Sequence, residues 1–154
     1  MDFEKYMTEA LALAREAADD GEVPVGCVIV GPDGSIIGRG RNRRRKTLSV
    51  LSHAEMDAMA EACSALGDWR LDECTAFVTL EPCPMCAGAM INARLGTLVY
   101  GAREPEFGSA ASIINLFEER YPSRTAIYGG VMAQESEDLL RRFFREVRTG
   151  KSAE

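Results

Sequence analysis

Pro82-Cys83-Pro84-Met85-Cys86, preceded in the chain by His53-Ala54-Glu55, contains the residues that determine which fold and chemistry to expect. Pro84 suits the first turn of a helix, which we expect to continue to about residue 93. Cys83 and Cys86 are then three residues apart at a helix start, so both sulfur atoms lie on one face. A helix N-terminus also stabilises thiolates. The sequence therefore predicts two metal-binding cysteines at the start of a helix.

His53 is the only histidine of the chain, and it opens a second helix expected over 53–66. As a third ligand it would leave one position of a tetrahedral zinc ion open, which is typical of catalytic rather than structural sites. Two thiolates weaken the acidification of water by zinc, so a nearby base is needed. Glu55, two residues after His53, is placed to be that catalytic acid–base. We expect one zinc ion per chain.

Two other interpretations of the cysteine pair are a redox pair and half of a structural zinc site. No second CxxC exists, because Cys27, Cys63 and Cys74 are isolated, and these three are expected to be small core residues. Glu81 is the only rival to Glu55 as the acid–base. Its position at a strand end before Pro82 favours a backbone role instead.

Around these motifs, predicted strands alternate with predicted helices. Helical spacing predicts helices over 3–18, 53–66, 84 to about 93, and 133–148, with a short one at 112–117. Runs rich in β-branched residues predict strands at 26–30, 35–39, 75–80, 97–100 and 125–128. The segments 42–52 and 103–111 are expected to be loops. This order predicts an α/β fold with helices on both faces of a sheet, in a single domain over 1–154.

The charge distribution is uneven. The net charge is −6, yet residues 39–46 hold six of the 18 basic residues and residues 141–151 hold five more. These clusters are either solvated surface or a local phosphate-binding rim on an acidic body. The longest apolar runs are too short to span a membrane, and the acidic N-terminus is unlike a secretory signal. A cytoplasmic protein without disulfides is therefore expected.

The combination of H-x-E with P-C-x-x-C is a zinc-deaminase signature. Longer runs extend the match: 21–26 (GEVPVG), 78–89 (VTLEPCPMCAGA), 101–102, 129–131 and 140–148. Over nearly its whole length the chain resembles the bacterial tRNA adenosine deaminases of the cytidine deaminase superfamily. The resemblance implies a three-layer α/β/α sandwich around a five-stranded mixed sheet. It also implies a homodimer that binds a tRNA anticodon stem-loop and converts the wobble adenosine to inosine.

Matched position by position, the resemblance assigns zinc binding to His53, Cys83 and Cys86 and proton transfer to Glu55. It also makes Asn42 the residue that reads the base and Val25 an apolar wall against it. An amide can pair with a base edge, although Asn42 is also placed to be a turn residue that ends the hairpin strand. Further substrate contacts are expected from Glu104 and from basic residues near the site and on the last helix: Arg43, Arg44, Arg45, Arg145 and Arg148.

Three segments, 49–52, 103–108 and 122–123, depart from the family pattern in loops near the active-site mouth. The acidic Glu104 and Glu106 would repel phosphates, and Phe107 could stack on a base or anchor its loop. These departures keep a second hypothesis open, a deaminase of free nucleobases or nucleosides of the guanine, adenine or cytosine type. A third hypothesis is a zinc-stabilised binding module without turnover. Glu55 argues against that module, because a structural zinc site has no use for an acid beside its ligand.

Overall fold

A five-stranded mixed sheet forms the centre of the structure, a computed structural model that describes residues 1–150. The strand order is β2-β1-β3-β4-β5. β1 is antiparallel to β2 and β3, whereas β3, β4 and β5 run parallel to one another. The strands are β1 Gly26–Val30, β2 Ile36–Arg41, β3 Thr75–Leu80, β4 Thr97–Ala102 and β5 Ala126–Tyr128. The predicted mixed sheet of five strands is confirmed.

Helices cover both faces of the sheet, which confirms the three-layer arrangement. One face carries α1 and α5, which contact each other and the central strands, and the opposite face carries α3 and α4. The helices are α1 Phe3–Asp19, α2 Arg44–Thr47, α3 Ala54–Leu66, α4 Pro84–Asn92 and α5 Ala133–Arg148. None of the helices within residues 1–150 combines the length and the apolar character that crossing a bilayer requires.

Alternate residues of the strands supply two separate apolar cores, as expected for a sheet that is covered on both sides. The α1 face buries side chains of that helix against four strand residues: Val28, Val30, Phe77 and Val99. The α3 and α4 face buries the alternating set, which includes Cys27, Ile29, Ala76, Val78, Leu98 and Tyr100. Cys27 and Cys74 are buried core residues and Cys63 is half-buried beside them, and all five cysteines are free thiols.

Two expectations about the loops were wrong. The predicted loop 42–52 contains the helical turn α2, because the buried Glu22 carboxylate accepts hydrogen bonds from the backbone N–H groups of Arg45 and Lys46 at 3.2 and 2.9 Å. The short helix predicted at 112–117 is a 3₁₀ turn at Leu116–Glu118 instead. The predicted domain 1–154 and basic segment 141–151 both extend into residues 151–154, which lie outside the described residues.

Helix α3 lies directly against the edge strand β2 because two glycines of that strand face it. A Cβ atom at Gly38 would collide with the carbonyl oxygen of Ala58, and one at Gly40 with that of Ala54. Glycine in a strand often marks such a close approach of two backbones. This packing sets the position of the α3 N-terminus, where His53 and Glu55 lie.

Candidate active site

The three metal-ligand candidates come together at the N-termini of two helices. His53 is the N-cap residue of α3, Cys83 is the N-cap residue of α4, and Cys86 follows in the first turn of α4. His53 Nδ1 lies 3.6 Å from Cys83 Sγ and 3.6 Å from Cys86 Sγ. In a tetrahedral zinc site, normal Zn–S and Zn–N bond lengths place sulfur and nitrogen about 3.6 Å apart. The spacing and the donor types therefore fit a zinc ion.

The two thiols differ in acidity. A hydrogen bond from the Cys86 thiol lowers the pKa of Cys83 to about 4 against the opposing effect of burial, and His53 adds to this lowering. The pKa of Cys86 is raised, because it donates to Cys83 and is buried. The hydrogen bond with Cys83 also raises the pKa of His53. Metal ligands must be deprotonated, so a cation bound here would displace the protons that these groups carry.

Glu55 is buried in the first turn of α3, with only 4% of its surface exposed, and it lines the same cleft as His53 and Cys83. Burial raises the pKa of Glu55 to about 7, and the negative charge of Cys83 adds to the shift. A carboxyl group with this pKa can both accept and release a proton near neutral pH. Its place in the cleft beside His53 and Cys83 makes Glu55 the candidate acid–base.

A cleft of about 730 Å³ opens above these groups. Its size is in the range of small-molecule sites. Besides His53, Glu55 and Cys83, it is lined by Val23, Val25, Asn42, Arg44, Val50, Leu80, Glu81, Pro84, Met85, residues 103–107, Leu140 and Phe144. Val25 and Asn42, the predicted base contacts, thus line the same cleft as His53 and Cys83.

Glu104 also lines the cleft, as predicted for a substrate-binding residue, but its carboxylate is engaged within its own loop. It accepts hydrogen bonds from the backbone N–H groups of Glu106 and Phe107 at 3.1 and 2.6 Å. Phe107 is 61% exposed at the cleft wall. Glu104 therefore shapes this wall, and the ring of Phe107 is available to a ligand.

Glu81, the rival candidate for the acid–base, is buried and is surrounded by hydrogen-bond donors of the loop 104–112. Burial alone would raise its pKa, but hydrogen bonds from Ser112 and from backbone N–H groups outweigh burial and lower it. Its carboxylate is therefore ionised and fully engaged, unlike that of Glu55. The sequence predicts a backbone role for Glu81 but not its hydrogen bonds to this loop, because the donors lie 23 to 31 residues later in the chain.

The predicted basic contacts are dispersed. Arg44 lines the cleft, whereas Arg43 lines a separate small cavity at the edge of β2. Arg45 donates to the carbonyl of Gly21 at 3.2 Å. Arg145 and Arg148 are exposed on α5, but the residues of α5 that line the cleft are Leu140 and Phe144. Of the arginines at 43–45, Arg44 is thus the one that the fold brings to the cleft.

The cleft brings a group that could hold a metal ion together with a buried carboxyl group. A sequence model of the MafB19-like deaminases matches residues 1–148. The chain belongs to the MafB19-like deaminase family. The expected enzyme class, a deaminase that hydrolyses C–N bonds, is confirmed, and a binding module without turnover is not supported.

Individual relatives of this MafB19-like deaminase are more specific. The tRNA-specific adenosine deaminase of Bacillus subtilis is 45% identical over 97% of this chain and 93% of its own length. A solved structure from studies of A-to-I editing by tRNA:A34 deaminases superimposes with a TM-score of 0.85 at 40% identity, covering 88% of this chain and 99% of the other. These matches confirm the resemblance to tRNA adenosine deaminases.

A third relative is much longer than this MafB19-like deaminase. The tRNA(Ile)-lysidine synthase of Deinococcus radiodurans is 49% identical over 92% of this chain. The chain spans only 24% of the length of that protein. The similarity is thus confined to about a quarter of the synthase.

Proposed function

We propose that this deaminase converts adenosine to inosine at the wobble position of a tRNA anticodon, in a reaction that consumes water and releases ammonia. The observation that carries the proposal is the placement of the buried Glu55 in the same cleft as His53 and Cys83, which form a possible metal site with Cys86. The similarity to the Bacillus subtilis tRNA-specific adenosine deaminase supports the choice of substrate.

In this proposal His53, Cys83 and Cys86 hold one zinc ion per chain. When bound, zinc makes a water molecule acidic enough to serve as a nucleophile near neutral pH. Glu55 takes one proton from the attacking water and passes it to the ring nitrogen. It then takes the second proton of the same water oxygen and passes it to the amine, which leaves as ammonia. Its burial keeps the carboxyl group away from bulk solvent.

Asn42 and Val25 would hold the adenine base. The Asn42 oxygen is occupied by a backbone N–H group, so its amide nitrogen is the group that can donate to an acceptor on the base. Val25 supplies an apolar wall, and the exposed rings of Phe107 and Phe144 lie at the cleft surface, where neighbouring bases could stack.

Phosphate contacts must supply much of the affinity for tRNA, since the net charge of the chain is −6. Among the arginines at 43–45, Arg44 is the best placed for such a contact, because it lines the cleft. Arg145 and Arg148 extend the basic surface along α5, and Arg43 and Arg45 contribute at longer range.

The proposal includes a homodimer of single-domain chains in the cytoplasm. The apolar side chains Leu48, Val50, Leu51, Ile113 and Ile114 are strongly exposed, and burial of such residues commonly stabilises a subunit contact. Light scattering of the purified chain measures the mass of the assembly directly.

The experiment that tests the proposed activity compares chelator-treated protein with the same protein after addition of zinc. A stem-loop RNA with adenosine at the first anticodon position is incubated with each sample and then digested to nucleosides. We expect inosine only after zinc addition. Inosine formation that is unchanged by removal of the metal would contradict the zinc-dependent mechanism.

A further inference from the structure

The loop 104–112 is attached to the end of β3 through one buried side chain. Glu81, with 2% of its surface exposed, accepts hydrogen bonds from the backbone N–H groups of four loop residues. Its Oε2 atom accepts from Ala110, Ala111 and Ser112 at 3.0, 2.8 and 2.9 Å. Its Oε1 atom accepts from Glu104 at 3.1 Å and from the hydroxyl group of Ser112.

Only an ionised carboxylate can satisfy all five donors. Both oxygens of a carboxylate accept hydrogen bonds, whereas a glutamine amide has one accepting oxygen and one donating nitrogen. In Glu81→Gln the amide nitrogen would face donors, whichever way the amide is turned. Buried donors left without an acceptor are costly, so the loop is expected to move away from β3 in this variant.

The tethered loop forms one wall of the cleft. Glu104, Pro105, Glu106 and Phe107 line the cleft, and Gly108 lies against the Glu81 side chain. A Cβ atom at Gly108 would collide with the carbonyl oxygen of Glu104 and the carboxyl group of Glu81. Gly108→Ala therefore displaces the same loop from the same anchor without changing the carboxylate itself.

We propose that Glu81 is a positioning residue, which holds residues 104–112 in place as the wall that binds the part of a polynucleotide substrate flanking the reactive base. This inference rests on the proposed function. Glu81 is not assigned a catalytic role, because its oxygens are occupied by the loop. Binding of the substrate to a wall that is already ordered costs less free energy than binding to a wall that must become ordered.

The test compares zinc-loaded wild type with Glu81→Gln and Gly108→Ala. The control is Ser136→Ala, which removes another buried hydrogen bond without touching the loop. That bond, 2.6 Å long, runs from Ser136 to the carbonyl of Thr79 in β3. Amide hydrogen exchange, zinc content and steady-state kinetics on the anticodon stem-loop are measured for each protein.

In Glu81→Gln and Gly108→Ala we expect faster amide exchange over 104–112 and unchanged zinc content. We also expect a KM raised about tenfold and a kcat within about twofold of wild type, because substrate binding is weakened while the chemical step is unchanged. Ser136→Ala should change neither the exchange at 104–112 nor KM. If either Glu81→Gln or Gly108→Ala does not fold, the other variant still tests the proposal.

Exchange at 104–112 that matches wild type, or a fall in kcat at unchanged KM, would overturn the proposal. If wild type does not act on the stem-loop at all, the proposed function fails, and hydrogen exchange alone then decides whether Glu81 positions the loop.

Discussion

The side chain of Asn42 accepts a hydrogen bond of 3.0 Å from the backbone N–H of Ala54. This bond joins the residue that follows β2 to the first residue of α3, between His53 and Glu55. Asn42 therefore has a structural role, and it also lines the cleft in which we propose that the base binds. The two roles use different atoms, since the oxygen accepts from Ala54 and the nitrogen is left for a ligand.

Substitutions at Asn42 should separate these roles. Asn42→Asp retains an oxygen for Ala54 but loses the amide donor, so we expect near wild-type thermal stability and a loss of kcat/KM of roughly ten- to a hundredfold, as for one lost hydrogen bond of about 1–3 kcal/mol. Asn42→Ala loses both groups and should also be less stable. Equal activity of Asn42→Asp and wild type would exclude a base contact through the amide nitrogen.

Glu55→Gln should retain zinc and fold but lose nearly all deamination. A positioned acid–base contributes about 100- to 10,000-fold, and Glu55 would act in more than one proton transfer. Glu61→Gln, an exposed acid on the same helix, is the matched control and should keep full activity. Turnover by Glu55→Gln at the rate of the control would refute the assigned mechanism.

Cys86→Ala should lose zinc and the stabilisation that zinc provides. Metal binding to the folded chain stabilises it by mass action, so the thermal midpoint of wild type should rise on zinc addition, whereas that of Cys86→Ala should not. Cys63→Ala, which changes a half-buried cysteine outside the cleft, serves as the control. Full zinc occupancy in Cys86→Ala would show that the ligand set is wrong.

Salt dependence should reveal which arginine contacts the RNA. Each phosphate contact to a single strand contributes a slope of about 0.7 to a plot of log affinity against log salt concentration. Arg44→Ala should lower the slope by about that amount, whereas Arg43→Ala, at the separate cavity, should change it little. Equal slopes for Arg44→Ala and wild type would exclude Arg44 as a phosphate contact.

The strands and the long helices could be predicted from the sequence, because they depend on local patterns. The five-stranded mixed sheet was implied by the family resemblance, and the grouping of His53 with the two cysteines by the H-x-E and P-C-x-x-C motifs. The spacing of Cys83 and Cys86 around Pro84 predicts that both cysteines lie on one face at the start of a helix. In the structure both cysteines lie at the start of α4. The alternation of strands and helices likewise predicted the three layers.

The loops were harder to predict, because contacts distant in sequence determine their shape. The turn α2 depends on Glu22, more than 20 residues earlier, and the path of the loop 104–112 depends on Glu81. The sequence around Glu22 or Glu81 does not indicate which backbone N–H groups donate to its carboxylate. Arg43, Arg44 and Arg45 are likewise adjacent in sequence, but the fold places them in different environments.

The central claim is tested most directly by ammonia release from zinc-loaded protein with a panel of substrates at equal concentration. The panel contains the stem-loop with adenosine at the first anticodon position, the same stem-loop with cytidine there, and free adenosine, guanine and cytosine. We predict ammonia release from the adenosine stem-loop, in amounts equal to the inosine formed, at a rate far above all others. No release from the stem-loop together with clear release from a free base would contradict the account and favour a nucleobase deaminase.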